Sequence, residues 1–507
     1  MRKASAALVF ALLFNSACMV AQPYAPRRQK DFATEFDNYI RSTLEKTPDV
    51  PGVAVAVVTG DKTIFVKTYG LADLATGRKA DNNTLFYIAS STKSYMALAA
   101  AILDREGKIR LSDPITKYTN GLTLKNSIPD QVTVRDLLTH TSGLSNDPLT
   151  FRMAYSGESD PGEMARVFAE ATTYNDAAYG KYKYDNLGYN IYAVLLQNHL
   201  KKAWQDVLRE KVFEPLGMNH TTAYVSQIAA KKWPRAEGYI IDGSTGKVLP
   251  APLKKADNNM QSAGGIYTTI GDAARWLEMN INEGSIDGKQ VVPADIVRAV
   301  HTGYTQTVRD APPFVGNGEY GLGWQIGKYK DDKVIYHHGG FTGYRSHISF
   351  MPEKKIGVAV FVNNDLIGSR IADLLATYAY DSLNGMAGLE AEYTKQLDDA
   401  RGQYARAKEQ MKAAVASRAS RTSQLTMPLA EYVGRYGSDY LGTIDVSQKN
   451  GQLFVKMGNI EVVPTPFTQK ETIRVEMIPG QGEVIKFDID GGKVISLTYS
   501  GSTFKRK

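Results

Sequence analysis

The sequence predicts an α+β fold with an antiparallel sheet, a separate helical lobe and a small all-β domain at the end of the chain. Strand-like apolar runs occur near both ends of residues 30–385, helical patterns fill the stretch between them, and short strand-like runs follow residue 425. Strands at both ends imply that the two ends share one sheet. The helices between them would then form a lobe across a cleft.

The first domain is predicted to open with a helix over Lys30–Lys46, because Phe32, Phe36 and Ile40 recur every four residues. The region from Ser90 to about residue 300 is mostly helical. The other predicted elements are strands at Val53–Val58, through Ile64 and Val66, and near Gly321–Ile326, Val334–His338, Ser346–Met351 and Ile356–Val362, with a closing helix at Ser369–Leu383.

The composition changes after about residue 385. Residues 386–424 are rich in Ala, Lys, Arg, Glu and Gln and predict a solvated helix and linker. Residues 425–507 hold short runs such as Leu453–Met457 and Val494–Tyr499, separated by Asn450-Gly451 and other glycine-containing turns. This pattern predicts a small β-barrel or sandwich.

The N-terminus has the features of an export signal. Arg2 and Lys3 precede an apolar run that ends in small residues, and we predict removal of residues 1–21. The mature chain would then be periplasmic or secreted, without a transmembrane segment. Cys18 is the single cysteine of the sequence. A lipoprotein, anchored to the membrane through a lipid on Cys18, remains an open alternative.

Charge and histidine patterns argue against two function classes. The net charge of +7 comes from scattered Lys and Arg residues, so no basic stripe indicates a nucleic-acid surface. The seven histidines include no His-Glu-x-x-His or His-x-His-x-Asp-His spacing. The neighbours His337 and His338 point in opposite directions if they lie on a strand. We therefore predict no metal ion and no cofactor.

Ser90 and Lys93 form the first pattern that suggests chemistry. Ser-x-x-Lys also occurs at Ser244 and Ser502, but only Ser90 opens a long apolar helix. The i, i+3 spacing places Lys93 beside the Ser90 hydroxyl on one helix face. A helix N-terminus and a lysine with a lowered pKa both help a serine to lose its proton.

Two further patterns lie downstream. Tyr184-Asp185-Asn186 precedes an apolar helical run, and the phenol could act as a general base if cationic neighbours lowered its pKa. The segment from His337 to Gly343 holds Gly339 and Gly340, which would let a substrate backbone approach a strand. A backbone N–H just after them could complete an oxyanion hole with that of Ser90.

Together the patterns that begin at Ser90, Tyr184 and His338 resemble the signatures of the serine β-lactamase and penicillin-binding-protein superfamily, of the class C and peptidase S12 type. The stretches Val132–Leu144 and Ser262–Tyr267 also fit the resemblance, which covers about residues 30–385. The final β region resembles the lipocalin-like domain that is appended to some members. The fold implied is the β-lactamase/transpeptidase-like one.

The resemblance also implies roles for single residues. Ser90 would attack a carbonyl carbon, Lys93 would accept or relay its proton, and Tyr184 would act as base and as acid for the leaving group. Asn186 would orient the acyl chain, and the N–H groups of Ser90 and Phe341 would bind the oxyanion. The Gly-Phe-Thr-Gly register selects the pair His338 and Gly340 over His337, while His140 is assigned a structural role.

Two departures from the family pattern bear on the substrate. His338 stands where β-lactamases use a lysine to engage the substrate carboxylate, and residues 150–184 contain no Glu-x-x-x-Asn. We therefore predict hydrolysis of amides or esters of a small molecule or peptide, by a D-amino-acid peptidase or amidase or by a carboxylesterase. A peptidoglycan-recognising, penicillin-binding protein with little turnover and a weak class C-like β-lactamase remain open alternatives, as does homo-oligomerisation.

Overall fold

A computed structural model describes residues 29–307 and 312–507, so the predicted signal segment 1–21 and Cys18 lie outside the described residues. The predicted first helix is present and spans Gln29–Lys46. The helices that follow it in the first domain are Thr92–Arg105, Val134–Leu138, Asp147–Phe151, Pro161–Ala171, Leu187–Leu195, Trp204–Leu208, Val225–Ala230, Ile270–Ile281, Ala294–Val300 and Gly368–Leu383.

One large antiparallel sheet joins the two ends of the first domain, which confirms the prediction of a shared sheet. Gly52–Thr59 pairs with Ile356–Val362 at its centre, although the two strands lie about three hundred residues apart. Within the described residues the strand order is Thr305–Gln306, Val315–Tyr320, Gln325–Tyr329, Asp332–Phe341, Tyr344–Met351, Ile356–Val362, Gly52–Thr59, Lys62–Asp73 and Arg78–Lys79.

The two faces of this sheet pack against different helices. On the face that we call the outer face, Val55 belongs to the core formed with Gln29–Lys46 and Gly368–Leu383. On the opposite, inner face, Ala56 belongs to the core formed with Ile270–Ile281 and the helical lobe. Neighbouring residues on a strand alternate between these faces, so the sheet contributes apolar side chains to both cores. Full burial of one large apolar side chain typically stabilises the folded state by about 1.5–3 kcal/mol.

The predicted strand at Gly321–Ile326 is wrong. Residues 321–324 form the turn between Val315–Tyr320 and Gln325–Tyr329. Leu322 and Trp324 gave the appearance of strand alternation because both side chains are fully buried in the inner core. Gly323 has φ +71°, which L residues rarely adopt, and it packs against the backbone of Lys93.

Short strands outside the large sheet tie the helical lobe together. The most relevant set joins Phe86–Tyr87, Tyr267–Thr268 and Thr221–Thr222 in one small sheet, which brings the segment before Ser90 beside the Ser262–Tyr267 stretch. The remaining short pairs are Leu144–Ser145 with Thr173–Tyr174, Tyr239–Ile241 with Val248–Pro250, and Ser285–Ile286 with Lys289–Gln290.

A long helix, Leu389–Ala419, links the two domains. Its first half buries Leu389, Tyr393 and Leu397 against the outer core, whereas most of its second half is exposed. No helix in the described ranges, this one included, is long and apolar enough to cross a bilayer.

The C-terminal part is a curled antiparallel sheet behind a short helix, Leu429–Tyr432, which confirms the prediction of a small β domain. In the part of the chain that the structure describes, its nine strands follow the order Ile460–Val462, Gln452–Met457, Gly442–Lys449, Gly434–Ser438, Ser502–Arg506, Lys493–Tyr499, Gln481–Asp490, Thr472–Ile478 and Thr465–Pro466. Its resemblance to a lipocalin stays a prediction.

The β domain docks on the π-helical turn Arg152–Ser156, which follows the helix Asp147–Phe151. The buried Arg152 donates to Glu163 Oε1 at 2.8 Å and to the carbonyl of Tyr440 at 3.0 Å. The Asn459 N–H donates to the carbonyl of Ser156 at 2.7 Å. One guanidinium therefore joins a carboxylate of the helical lobe to the backbone of the β domain.

We expect Arg152→Ala to lower the free energy of unfolding by about 1–3 kcal/mol, because it removes the donor that bonds both Glu163 and the Tyr440 carbonyl. Arg435→Ala is the matched control, since it breaks an arginine–aspartate pair whose arginine is 65% exposed. Urea unfolding of both variants measures the difference. Equal unfolding midpoints for the two variants would contradict a structural role for Arg152 at the domain contact.

Candidate active site

Ser90 lies in a short 3₁₀ turn, Ala89–Ser91, that runs directly into the helix Thr92–Arg105. Ala89 has φ +46°, a left-handed conformation that costs a non-glycine residue about 1–3 kcal/mol. Ser91 and Thr92 are buried, whereas Ser90 is half-buried. The strained turn thus presents one serine at a helix N-terminus, where the helix dipole favours negative charge.

The side chain of Lys93 is fully buried and its Nζ lies 3.2 Å from Ser90 Oγ, which confirms the predicted contact across one helical turn. Nζ also donates to Asn186 Oδ1 at 2.7 Å and to the Ala263 carbonyl at 2.9 Å. Burial lowers the pKa of Lys93 to about 7, while the Asp185 carboxylate opposes the shift. A large share of Lys93 is therefore neutral at pH 7 and able to accept a proton.

Tyr184 joins Ser90 and Lys93 in the same site. The Lys93 Nζ lies 4.8 Å from the centre of the Tyr184 ring, and Ser90 lies near enough to the phenol to affect its pKa. The residue as a whole is 40% exposed, so the site opens to solvent beside it. Desolvation of the phenol nevertheless raises its pKa, and Ser90 only partly opposes this. The condition set for a Tyr184 base, a pKa lowered by cationic neighbours, is therefore not met, and its phenol is neutral at pH 7.

Asn186 precedes the helix Leu187–Leu195, and its side chain enters the site as predicted. Its Oδ1 accepts from Lys93, which leaves Nδ2 as the group that can donate to a substrate. The Asp185 N–H donates to His140 Nδ1 at 3.3 Å, which fixes the loop that carries Tyr184 and Asn186.

The structure contradicts the choice of His338 over His337. His337 pairs with Ile348, which belongs to the inner core, and its ring centre lies 6.1 Å from that of Tyr184. His338 pairs with His347 on the outer face, where its Nε2 lies 3.1 Å from Asp373 Oδ1. A one-residue slip in a strand moves a side chain to the other face, so His337 is the ring on the face that carries Ser90 and Tyr184.

Gly339 is the glycine of this strand that packs closely inside the protein, whereas the substrate-binding role of Gly340 stays a prediction. A Cβ on Gly339 would overlap the Ile88 carbonyl and the Ser346 hydroxyl, whereas one on Gly340 would meet only the flexible end of Arg345. Phe341 turns its ring to the inner face, 5.4 Å from the Tyr87 ring. The roles of the Phe341 and Ser90 N–H groups in an oxyanion hole stay predictions.

We expect Gly339→Ala to destabilise the protein by about 1–3 kcal/mol and to cost activity, because the methyl group pushes the strand away from the Ser90 turn. Gly402→Ala is the control, since its Cβ meets only the tip of Arg406 on the exposed linker helix and should stabilise the chain slightly. Thermal unfolding and esterase assays on both variants check this. A fully active and stable Gly339→Ala variant would contradict the tight contact.

A chain of hydrogen bonds leads from the Tyr184 loop to His337. His140 Nδ1 accepts from the Asp185 N–H, so the protonated Nε2 donates to the Tyr320 hydroxyl at 3.1 Å. Tyr320 then donates to His337 Nε2 at 3.3 Å, and His337 Nδ1 donates to the His338 carbonyl at 2.7 Å. Burial lowers the pKa of both His140 and His337, which keeps the two rings neutral. The chain fixes both tautomers.

Sequence reasoning missed Asp185 and Tyr320 and assigned His140 a structural role only. Asp185 was visible between Tyr184 and Asn186, and His140 lies in a stretch that the family resemblance already included. His140 has φ +61°, a left-handed backbone conformation that is uncommon outside glycine. No sequence signal singled out Tyr320, because its contact depends on the pairing of distant strands.

A second buried lysine flanks the site. Lys255 Nζ lies 4.0 Å from the centre of the Phe341 ring and donates to the carbonyls of Ala154 and Asn259 at 2.7 and 3.0 Å. Burial lowers its pKa to about 7. The Tyr155 ring stacks on that of Phe341, with centroids 6.0 Å apart. Tyr155 belongs to the same segment that contacts the β domain. Aromatic rings therefore line this side of the site.

Fold and geometry together define a β-lactamase/transpeptidase-like protein with a serine and a lysine in hydrogen-bond contact. The Beta-lactamase family model matches residues 36–379, and the chain belongs to this family. That membership supports a function of the serine hydrolase or acyl-transferase kind.

Several known proteins are similar to this chain. "Unguisins hydrolase ungD" of Aspergillus violaceofuscus is 25% identical over 444 residues, which cover 81% of this chain and 76% of that protein. "Protein flp" of Staphylococcus aureus is 24% identical over 344 residues, or 66% of this chain and 64% of that protein. The solved octameric penicillin-binding protein homologue from Pyrococcus abyssi superposes with a TM-score of 0.59 at 22% identity, covering 93% of this chain and 99% of that one.

Proposed function

We propose that this protein is a serine hydrolase that forms an acyl-enzyme at Ser90 and cleaves amide or ester bonds. The observation that carries the proposal is the 3.2 Å contact between Ser90 Oγ and Lys93 Nζ, together with the lowered pKa of that lysine. A neutral amine in contact with a serine hydroxyl is the arrangement that activates the serine as a nucleophile.

The proposed first half-reaction begins when Lys93 takes the proton of Ser90 as Oγ attacks the substrate carbonyl. The helix N-terminus and backbone N–H groups would stabilise the negative charge that develops on the carbonyl oxygen. The neutral Tyr184 phenol, whose ring lies 4.8 Å from Lys93 Nζ, would donate a proton to the leaving amine or alcohol and regain one from Lys93. The bond to the leaving group breaks and leaves an ester on Ser90.

In the second half-reaction, water would attack this ester and give a proton to the Tyr184 oxygen, while Tyr184 passes its own proton to Lys93. Lys93 would then return a proton to Ser90 Oγ as the ester bond breaks and the acid is released. Asn186 Nδ2 would hold the acyl chain while its Oδ1 stays on Lys93. Microscopic reversibility makes the group that protonates the leaving group the one that deprotonates the water.

The environment favours substrates that carry no carboxylate beside the scissile bond. His337 is neutral, and the rings of Tyr155 and Phe341 stack on this side of the site. We therefore propose a carboxylesterase or a peptidase or amidase for D-amino-acid substrates, with β-lactam hydrolysis as a side activity at most. A screen of amino-acid amides, p-nitrophenyl esters and a chromogenic cephalosporin decides between these substrate classes.

A fluorophosphonate probe tests the nucleophile. We expect it to label the wild type and Ser244→Ala but not Ser90→Ala, because Ser244 opens a second Ser-x-x-Lys pattern in an exposed turn. Equal labelling of Ser90→Ala and the wild type would overturn the proposal. A single burst of p-nitrophenol without steady turnover would instead identify a penicillin-binding type of protein that is acylated once.

Export and assembly are part of the same proposal. The predicted signal at residues 1–21 supports a periplasmic or secreted enzyme, and N-terminal sequencing of the mature protein tests it. The octameric state of the Pyrococcus abyssi homologue supports a homo-oligomer, which light scattering on the purified chain would test.

A further inference from the structure

Three potential ligand atoms converge on the outer face of the large sheet. His338 comes from Asp332–Phe341, His347 from Tyr344–Met351, and Asp373 from the helix Gly368–Leu383. His338 is one-third exposed, Asp373 is 15% exposed and His347 is fully buried. Two histidines and one carboxylate from three different elements thus meet at one partly open point.

The distances among these atoms match those of a metal site. His338 Nε2 and His347 Nδ1 lie 3.1 Å apart, and they lie 3.1 and 2.8 Å from Asp373 Oδ1. Ligands held at about 2.0–2.1 Å around a zinc ion are themselves about 2.8–3.4 Å apart, for angles between octahedral and tetrahedral. One cation in the middle could therefore contact all three atoms with little movement.

Hydrogen bonds alone satisfy this cluster poorly. If both rings donate to Asp373 Oδ1, two N–H groups face each other across 3.1 Å. If only one ring donates, the lone pair of the other nitrogen faces the carboxylate oxygen. A cation removes both conflicts, because all three atoms then present lone pairs to it.

The surroundings also resemble those of a ligating histidine. His347 Nε2, the nitrogen on the far side of the ring, lies 2.7 Å from Ser349 Oγ, which lies 2.7 Å from the Tyr380 hydroxyl. Metal-binding histidines commonly make such a bond, and it fixes the ring and its tautomer. The ring of Phe314 packs 5.4 Å from that of His347 and covers one side.

We propose that His338, His347 and Asp373 bind one divalent first-row transition-metal ion, with zinc as the representative, and with water at the remaining positions. Two imidazoles and one carboxylate with open positions suit ions of this class. Histidine spacing along the chain did not reveal the site, because its ligands are brought together by strand pairing and by one helix.

The proposed metal site stabilises the position of the strand Asp332–Phe341, which borders the catalytic centre. His338 follows His337 directly and precedes Gly339, which packs against the Ser90 turn on the inner face. A metal ion bound to His338 ties this strand to its neighbour and to the helix Gly368–Leu383. Its role is to hold the inner-face residues in place, and it takes no part in the chemical step.

Metal content of the full-length protein tests the proposal. After EDTA treatment, reloading with zinc and gel filtration, we expect about one zinc per chain in the wild type. Cobalt(II) should bind with the visible absorption of a nitrogen- and oxygen-ligated ion. Asp373→Asn and His338→Ala should lose the stoichiometric zinc, and Ser349→Ala should bind it about 10- to 100-fold more weakly.

His220→Ala is the matched control, because it removes an exposed histidine from another part of the fold. It should keep the full zinc content, and circular dichroism should show every variant to be folded. Zinc should also raise the melting temperature of the wild type and of Ser90→Ala alike. The proposal is overturned if the wild type keeps no zinc, or if His338→Ala keeps as much as the wild type.

Discussion

Lys93→Met is expected to lower kcat/KM for a p-nitrophenyl ester by about 10⁴-fold or more, as removal of one member of a catalytic unit commonly does. Methionine fills the buried volume but cannot accept the Ser90 proton. It also releases Asn186 Oδ1 and the Ala263 carbonyl, to which Nζ donates. Steady-state kinetics together with fluorophosphonate labelling measures the loss.

The pH profile separates Lys93 from the other buried lysine. In the wild type, kcat/KM should fall about tenfold per pH unit below about pH 7, because protonated Lys93 has no lone pair for the Ser90 proton. Lys255→Met is the matched control, since burial lowers the pKa of Lys255 to about 7 as well. The inflection should persist in Lys255→Met. If Lys255→Met lost the inflection near pH 7 and Lys93→Met kept it, Lys255 would be the titrating base instead of Lys93.

Tyr184→Phe is expected to have the second largest effect, and the effect should depend on the leaving group. For an amide, kcat should fall by about 10³-fold, because the departing amine needs the proton of the phenol. For a p-nitrophenyl ester the loss should be much smaller, since p-nitrophenolate leaves without a proton. Kinetics on an amide and an ester of the same acyl group measure the ratio.

Tyr182→Phe is the control for Tyr184→Phe. Its ring is part of the same aromatic cluster, 5.9 Å from that of His140, but it lies two residues before the phenol assigned to proton transfer. It should reduce the amide and ester rates by similar factors. If Tyr184→Phe also lowered both rates equally, the phenol would position groups instead of donating a proton to the leaving group.

The sequence predicted contacts between residues that are close in the chain. Ser90 and Lys93 are three residues apart on one helix, so helical geometry alone brings them together, and the structure confirms the contact. The shared sheet was also predictable, because strands at both ends of the domain need partners for their backbone hydrogen bonds and can supply them to each other. The strands Gly52–Thr59 and Ile356–Val362 do pair directly.

Sequence reasoning failed where the outcome depended on which way a side chain faces. His337 and His338 are chemically identical neighbours, and only pairing with the strand that carries Ile348 and His347 decides which ring points to the Ser90 side. The same register packs Gly339 against Ile88 and leaves Gly340 next to Arg345. It also placed His338 with Asp373, a residue that no sequence pattern connected to it.

The amino-acid sequence by itself determined the order of the elements and the contact between Ser90 and Lys93, because periodicity and i, i+3 spacing are properties of the local chain. Tertiary structure decided on which face of the sheet His337 and His338 lie. It also formed the hydrogen-bond chain through Tyr320 and lowered the pKa of Lys93. Those features arise from contacts between segments distant in the chain and from burial, which displaces water from charged groups.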